Sequence, residues 1–188
     1  GLYHIKGGNG SGKSTLINII LGFERKDYDF KCANLVNFIN NISPNTVRVI
    51  DREAVIFNCF PNFINQVYGP DTCHSVWLGP VSYTLNRLLS LELATHWIEI
   101  FCDLESKFTI RANKTLSSGE RIILSFMRFF SSWSADVNLL VIDECDSFLD
   151  FKMKILFINT LKELSRYMAI YVSCHDKLLT KPMRAFIE

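Results

Sequence analysis

The chain has 188 residues, 48% hydrophobic and 21% charged, with a net charge of +1. That is enough apolar material for one domain with a real core, and it excludes a disordered chain. The near-zero charge leaves no electrostatic footprint for nucleic acid, so no such partner is expected, and no apolar run approaches the ~18 residues of a membrane helix.

Residues 1–6 read as a strand, 7–15 as a loop and 14–21 as a helix that Gly22 stops. The loop, Gly7-Gly8-Asn9-Gly10-Ser11-Gly12-Lys13-Ser14-Thr15, fits G-x-x-x-x-G-K-[ST] without a mismatch. Its glycines let successive N–H groups face one concavity where a polyphosphate can sit. Lys13 reaches the terminal phosphates as a mobile charge, the Ser14 hydroxyl suits Mg²⁺, and the following helix offers its N-terminus to the anion.

Further on, Glu24–Asp27 reads as a solvated turn, and Leu35–Ile39 fits strand and helix equally. Val47–Ile50 and Ala54–Phe57 read as strands, and regular structure breaks at Asn58–Phe63. Turn residues dominate from Pro70 to Gly79. Val81–Phe101 spaces Leu85, Leu88, Leu89, Leu91, Leu93, Ile98 and Phe101 as one helix, and Lys107–Thr115 is irregular. Ser118–Trp133 is an amphipathic helix with Ile122, Ile123, Phe126, Phe129 and Phe130 on one face, a spacing typical of core. Asn138–Ile142 and Met168–Ser173 read as buried strands on either side of a helix at Phe151–Tyr167. Strands alternating with helices predict an α/β fold with a mainly parallel sheet. The six cysteines, at 32, 59, 73, 102, 145 and 174, have neither C-x-x-C nor zinc spacing and read as small buried hydrophobes of a reducing cytosol. The chain has no initiator Met and opens almost directly on a strand, so a segment preceding Gly1 is expected.

Three more groups carry chemistry. The apolar strand ends in Asp143-Glu144, and charges at the end of a buried strand need a partner or a task. Asp143 can hold the Mg²⁺ that Ser14 contacts, and Glu144 can orient or deprotonate an attacking water. Leu116-Ser117-Ser118-Gly119-Glu120 precedes a helix and reads both as a capping box and as a second anion site, since capping leaves N–H groups free. His175 follows a buried strand, where an open α/β sheet places its ligand crevice; a lone histidine is otherwise more often structural.

Taken together these residues resemble the ATP-binding-cassette (ABC) ATPases, in order and spacing, over nearly the whole chain. Residues 7–15 look like the Walker A motif and 116–120 like the signature, usually Leu-Ser-Gly-Gly-Gln. Asp143-Glu144 matches Walker B with the catalytic glutamate, Ser147-Phe148-Leu149-Asp150 looks like the D-loop, and His175 matches the switch histidine. The run 143–150 is most similar to the exporter form. The resemblance implies a P-loop NTPase fold over residues 1–188 with a small helical subdomain at approximately 70–130, and N-terminal strands preceding Gly1. It implies an ATPase using ATP and Mg²⁺, with Glu144, His175 and Lys13 catalytic and Ser14 and Asp143 on the metal. ATP would lie between two such domains packed head to tail, as a homodimer or heterodimer, so that Ser117, Ser118, Gly119 and Glu120 meet the partner's nucleotide. Hydrolysis would power a transmembrane transporter subunit or domain from the cytoplasmic face of a membrane, with residues 58–80, including Phe60, Phe63 and Trp77, as the coupling surface or as core.

Departures from the family pattern open two alternatives. Ser118 stands for a signature Gly and Glu120 for Gln, adding a Cβ and a negative charge near the phosphate. At the metal-binding glutamine's place stands Asn58, a methylene shorter, with Gln66 the other candidate. No adenine-stacking aromatic is evident in residues 1–6 apart from Tyr3. The chain could therefore be a catalytically weak partner subunit, or a soluble ABC ATPase acting on nucleic acid or ribosomes; it lacks the long coiled-coil insertion of the DNA-repair members.

Overall fold

In the computed structural model the described residues are 1–8, 10–20, 46–50, 75–108, 117–144 and 149–187. The expected strand at Ala54–Phe57, and Asn9, Asn58, Phe60, Phe63, Gln66 and Ser147, lie outside them.

The apolar runs become β1 (Leu2–Ile5), β2 (Val47–Ile50), β3 (Leu139–Asp143) and β4 (Ala169–Ser173), joined by β5 (Arg184–Ile187). They form one sheet in the order β2-β3-β4-β1-β5, every neighbouring pair parallel. Parallel strands need covering on both faces, which is why these runs are continuously apolar rather than alternating. The alternation survives in where each residue goes. Leu140, Ile142, Ile170 and Val172 face the larger core, while Leu139, Val141, Tyr171, Ile5 and Val47 face a smaller one closed by Ile17. Ile17 belongs to α1 (Lys13–Ile20), the helix that follows the glycine loop.

The larger core is filled by α2 (Ser75–Leu88), α3 (Leu91–Phe108), α4 (Ser118–Ser132) and α5 (Phe151–Leu164). Where one helix is expected over 81–101 there are two, and the first begins within the stretch expected to turn. The break has a local cause. The Ser90 carbonyl accepts from Ala94 N–H at 2.9 Å, so Ser90 opens α3, and its own N–H donates to Glu163 Oε2 at 2.6 Å. Leu91, expected on the apolar stripe, is 76% exposed. In α4 the buried set is broader than one face, because Leu124, Ser125 and Met127 are covered as well.

Trp97 anchors this core. It is 1% exposed, stacks on Phe126 at 4.9 Å and lies 5.3 Å from Phe101. Its indole Nε1–H donates to Thr160 Oγ1 at 2.8 Å, and that hydroxyl donates to the Leu156 carbonyl at 2.8 Å.

A single-turn helix, α6 (Lys177–Thr180), is capped by Asp176. The Asp176 carboxylate accepts from Lys154 Nζ at 2.6 Å and from Leu178 N–H at 2.7 Å. The lysine hydrogen bond first, then the backbone one, hold this carboxyl below its ordinary value of 3.8. Its folded-state pKa lies under the unfolded one, so the charged form stabilises the fold above that range, and the contribution is lost as the pH falls through the folded value. Asp176→Asn keeps a capping side chain but loses the charge. It is expected to lower the melting temperature slightly at pH 7, a difference that closes below pH 3.8. A constant difference in melting temperature down to pH 2 would contradict the assignment.

Candidate active site

Every strand of a parallel sheet delivers its C-terminal end to the same edge, and neighbouring strands are about 4.8 Å apart. Three adjacent strands therefore bring their loops together here. β1 leads into Gly7–Lys13, β3 ends in Asp143-Glu144, and β4 leads to Cys174 and His175.

The loop is built by its glycines. Gly12 has φ +89° and Gly10 φ +77°, left-handed conformations that cost a side chain ~1–2 kcal/mol. Gly7 is required for space. A Cβ there would overlap Ser11 Oγ and lie 3.1 Å from Ser11 Cβ, so turning the hydroxyl away is insufficient. Ser11 N–H donates to the Gly8 carbonyl at 3.2 Å, and Leu16 N–H to the Gly12 carbonyl at 2.8 Å, passing the chain from loop to α1. Lys13 is only 8% exposed and folds back over the loop, donating to the carbonyls of Gly7 at 2.9 Å and Gly8 at 3.0 Å. Its ammonium thus lies at the mouth of the loop, in reach of a phosphate. Gly7→Ala is expected to weaken nucleotide binding by about 1–3 kcal/mol through overpacking, measured by titration with a fluorescent ATP analogue. Unchanged affinity would show that the loop is not the binding element.

Ser14 and Asp143 meet, although 129 positions separate them: Ser14 Oγ donates to Asp143 Oδ2 at 3.4 Å. A hydroxyl and a carboxylate are hard oxygen donors of the kind Mg²⁺ takes. Two adjacent ligands of an octahedral Mg²⁺ with bonds of about 2.1 Å lie about 3 Å apart, so the pair fits that ion.

Glu144, one residue on, is exposed and has φ +46°, the sole positive value at a non-glycine position among the described residues. Its N–H donates to the Ser173 carbonyl at 2.9 Å, which holds the backbone there. A left-handed glutamate costs about 1–3 kcal/mol, and such positions cluster where function requires them. His175 is exposed at the end of β4. The ring before it in this region, His4, is tied by Nε2 to the Cys174 carbonyl at 2.9 Å.

Ser117 is exposed and caps α4, with both arms of the capping box formed. Glu120 N–H donates to Ser117 Oγ at 3.2 Å, and Ser117 N–H donates to Glu120 Oε2 at 2.9 Å. Glu120 is thereby occupied with the helix end, and the N–H groups of Ser118 and Gly119 remain in the first turn, where a helix offers its unsatisfied donors. Asp150 caps α5, accepting from Met153 N–H at 2.8 Å. Sequence reasoning missed Ser173, which is fully buried beside Asp143; the signal was a hydroxyl closing an otherwise apolar strand.

The chain is similar to the solved ATP-binding cassette MJ0796, a dimer in a post-hydrolysis state bound to ADP and Pi, with TM-score 0.51 and 17% identity over 93% of this chain and 75% of that one. A putative metal-chelate type ABC transporter in an inward-facing conformation also matches, with TM-score 0.47 and 16% identity over 97% of this chain and 66% of that one. No curated protein matches the chain significantly. The family model described as ABC transporter matches residues 1–147. A match over so much of the sequence, on a parallel sheet whose phosphate loop faces the Asp143 strand end, makes this chain a member of the ABC transporter family of ATPases.

Proposed function

We propose that the chain binds ATP with Mg²⁺ at the phosphate loop and hydrolyses it in a head-to-tail pair of such domains, so driving a substrate across a membrane. The observation that carries this reading is the meeting of Ser14 and Asp143 at 3.4 Å beside Lys13. Lys13 trades its loop carbonyls for the terminal phosphates of ATP and offsets charge that develops in transfer. Ser14 and Asp143 would hold Mg²⁺, which when bound would supply charge neutralisation for the phosphates. Glu144 orients the attacking water and accepts its proton, and His175 hydrogen-bonds the γ-phosphate from the neighbouring strand end. Asn9 would join the rest of the loop in binding the phosphates, and Asn58 is the remaining candidate toward the metal.

Head-to-tail pairing is supported by the exposure of Ser117, where a second molecule's phosphate can arrive, and by the dimeric state of MJ0796. Asp150 and Ser147 would lie along that interface. The helices of residues 75–132 would form the helical subdomain, with the coupling surface in residues 58–80. Among the described residues no helix is long and apolar enough to cross a membrane. As an ATPase that drives a transporter, the chain would work at the cytoplasmic face. Fractionation of cells making the tagged protein tests it. Sedimentation with membranes is the expected result, and sedimentation with ribosomes or DNA would replace it with the soluble alternative.

One observation favours a weaker enzyme. The Glu120 carboxylate stands at the N-terminus of α4, the end a partner's phosphate would approach. On that reading hydrolysis by the purified chain appears only when a second, different subunit is added.

A further inference from the structure

Ser173 is 0% exposed, and its Oγ has no hydrogen-bond partner among the described residues. An unmet buried hydroxyl costs about 1–3 kcal/mol, and native proteins rarely leave one without a reason. Its position supplies one. Ser173 pairs in register with Asp143 across β4 and β3. The two side chains share a face of the sheet, because Tyr171 and Val141, two residues before each, both face the α1 core. Directly paired side chains on one face stand about 5 Å apart, and since Ser173 Oγ makes no direct hydrogen bond among the described residues, one intervening water can bridge it to the Asp143 carboxylate. The preceding residues on that face of β4, Ala169 and Tyr171, belong to a hydrophobic cluster, which does not itself call for a hydroxyl at 173.

We propose that Ser173 is a positioning residue for the cation site, its hydroxyl holding a water against the Asp143 carboxylate and so fixing the carboxylate in the pose it shares with Ser14. The inference rests on the proposed Mg²⁺–ATP site. Contacts of this outer kind alter metal affinity by about 10–100-fold when removed.

The test is Mg²⁺-dependent binding of a fluorescent, non-hydrolysable ATP analogue, with Ser173→Ala beside wild type. Ser173→Ala should require about tenfold more Mg²⁺ for half-maximal tight binding. Its affinity in excess EDTA should equal wild type, and its melting temperature without nucleotide should be no lower. Ser173→Thr, which keeps the hydroxyl, should restore most of the wild-type Mg²⁺ requirement. An unchanged requirement in Ser173→Ala overturns the role of Ser173 while leaving the ATPase reading intact. A loss of affinity that is the same with and without Mg²⁺ also overturns it, by showing damage to the loop. Wild type that fails to bind the analogue with or without Mg²⁺ overturns the ATPase reading and this inference together.

Discussion

Replacing Glu144 by Gln is expected to leave ATP affinity near that of wild type while lowering hydrolysis by about 10²–10⁴-fold, the range removed with a general base. Glutamine has the same length and shape, so the change isolates basicity and charge. The backbone at 144 is held independently of the carboxylate, by its N–H on the Ser173 carbonyl and by the φ of +46° that β3 imposes as it ends. Lys13 and the Ser14–Asp143 pair are untouched, so binding should persist. With nucleotide bound and not consumed, the state that ATP favours becomes the resting one, and a dimer should accumulate. Light scattering with and without ATP, beside a phosphate-release assay, reads both effects. Normal turnover in the Gln variant would remove Glu144 from the reaction.

Trp97→Ala should cost about 3–5 kcal/mol, a large part of the ~5–15 kcal/mol that holds a domain folded. The side chain is 1% exposed and is surrounded by Phe101, Phe126 and Phe130, none of which can move into the space without abandoning its own contacts. Thr160 also loses the donor it accepts from. Trp97→Phe refills much of the volume but not the hydrogen bond, and should cost about 1–2 kcal/mol. The midpoint of urea unfolding measures both. A shift under about 1 kcal/mol for the alanine variant would show that this cluster is not a stabilising core. The effect reaches function through Phe126 and Phe130, which lie on α4, the helix that presents Ser117. A protein that survives Trp97→Ala should therefore bind ATP at Lys13 yet pair poorly.

The phosphate loop and the Asp143 strand end could be read from the sequence because their chemistry is local. A glycine spacing fixes backbone shape, and two charges after an apolar run stand out against burial. The strand order could not be read, since it depends on pairings such as Leu2 with Ile170 that no local pattern encodes. β5 and α6 are four residues each, too short to show a period. The break at Ser90 was hidden for a similar reason: Glu163, which accepts its N–H, lies 73 positions away, while the leucines run on through the gap. Ser117 was legible as a cap, with Glu120 in its predicted box. The left-handed Glu144 was not, because its conformation is forced by tertiary context on a residue that does not prefer it.

The strand that launches the phosphate loop is hydrogen-bonded on both sides to strands made near the end of this sequence, β4 from residue 169 and β5 from residue 184. During synthesis β1 leaves the ribosome before both of these partners. Loop closure across such separations is slow. The phosphate loop therefore matures only once β4 and β5 have been made, and a chain interrupted before β4 would carry the glycine motif on a strand without these two partners, a natural substrate for chaperones rather than for ATP.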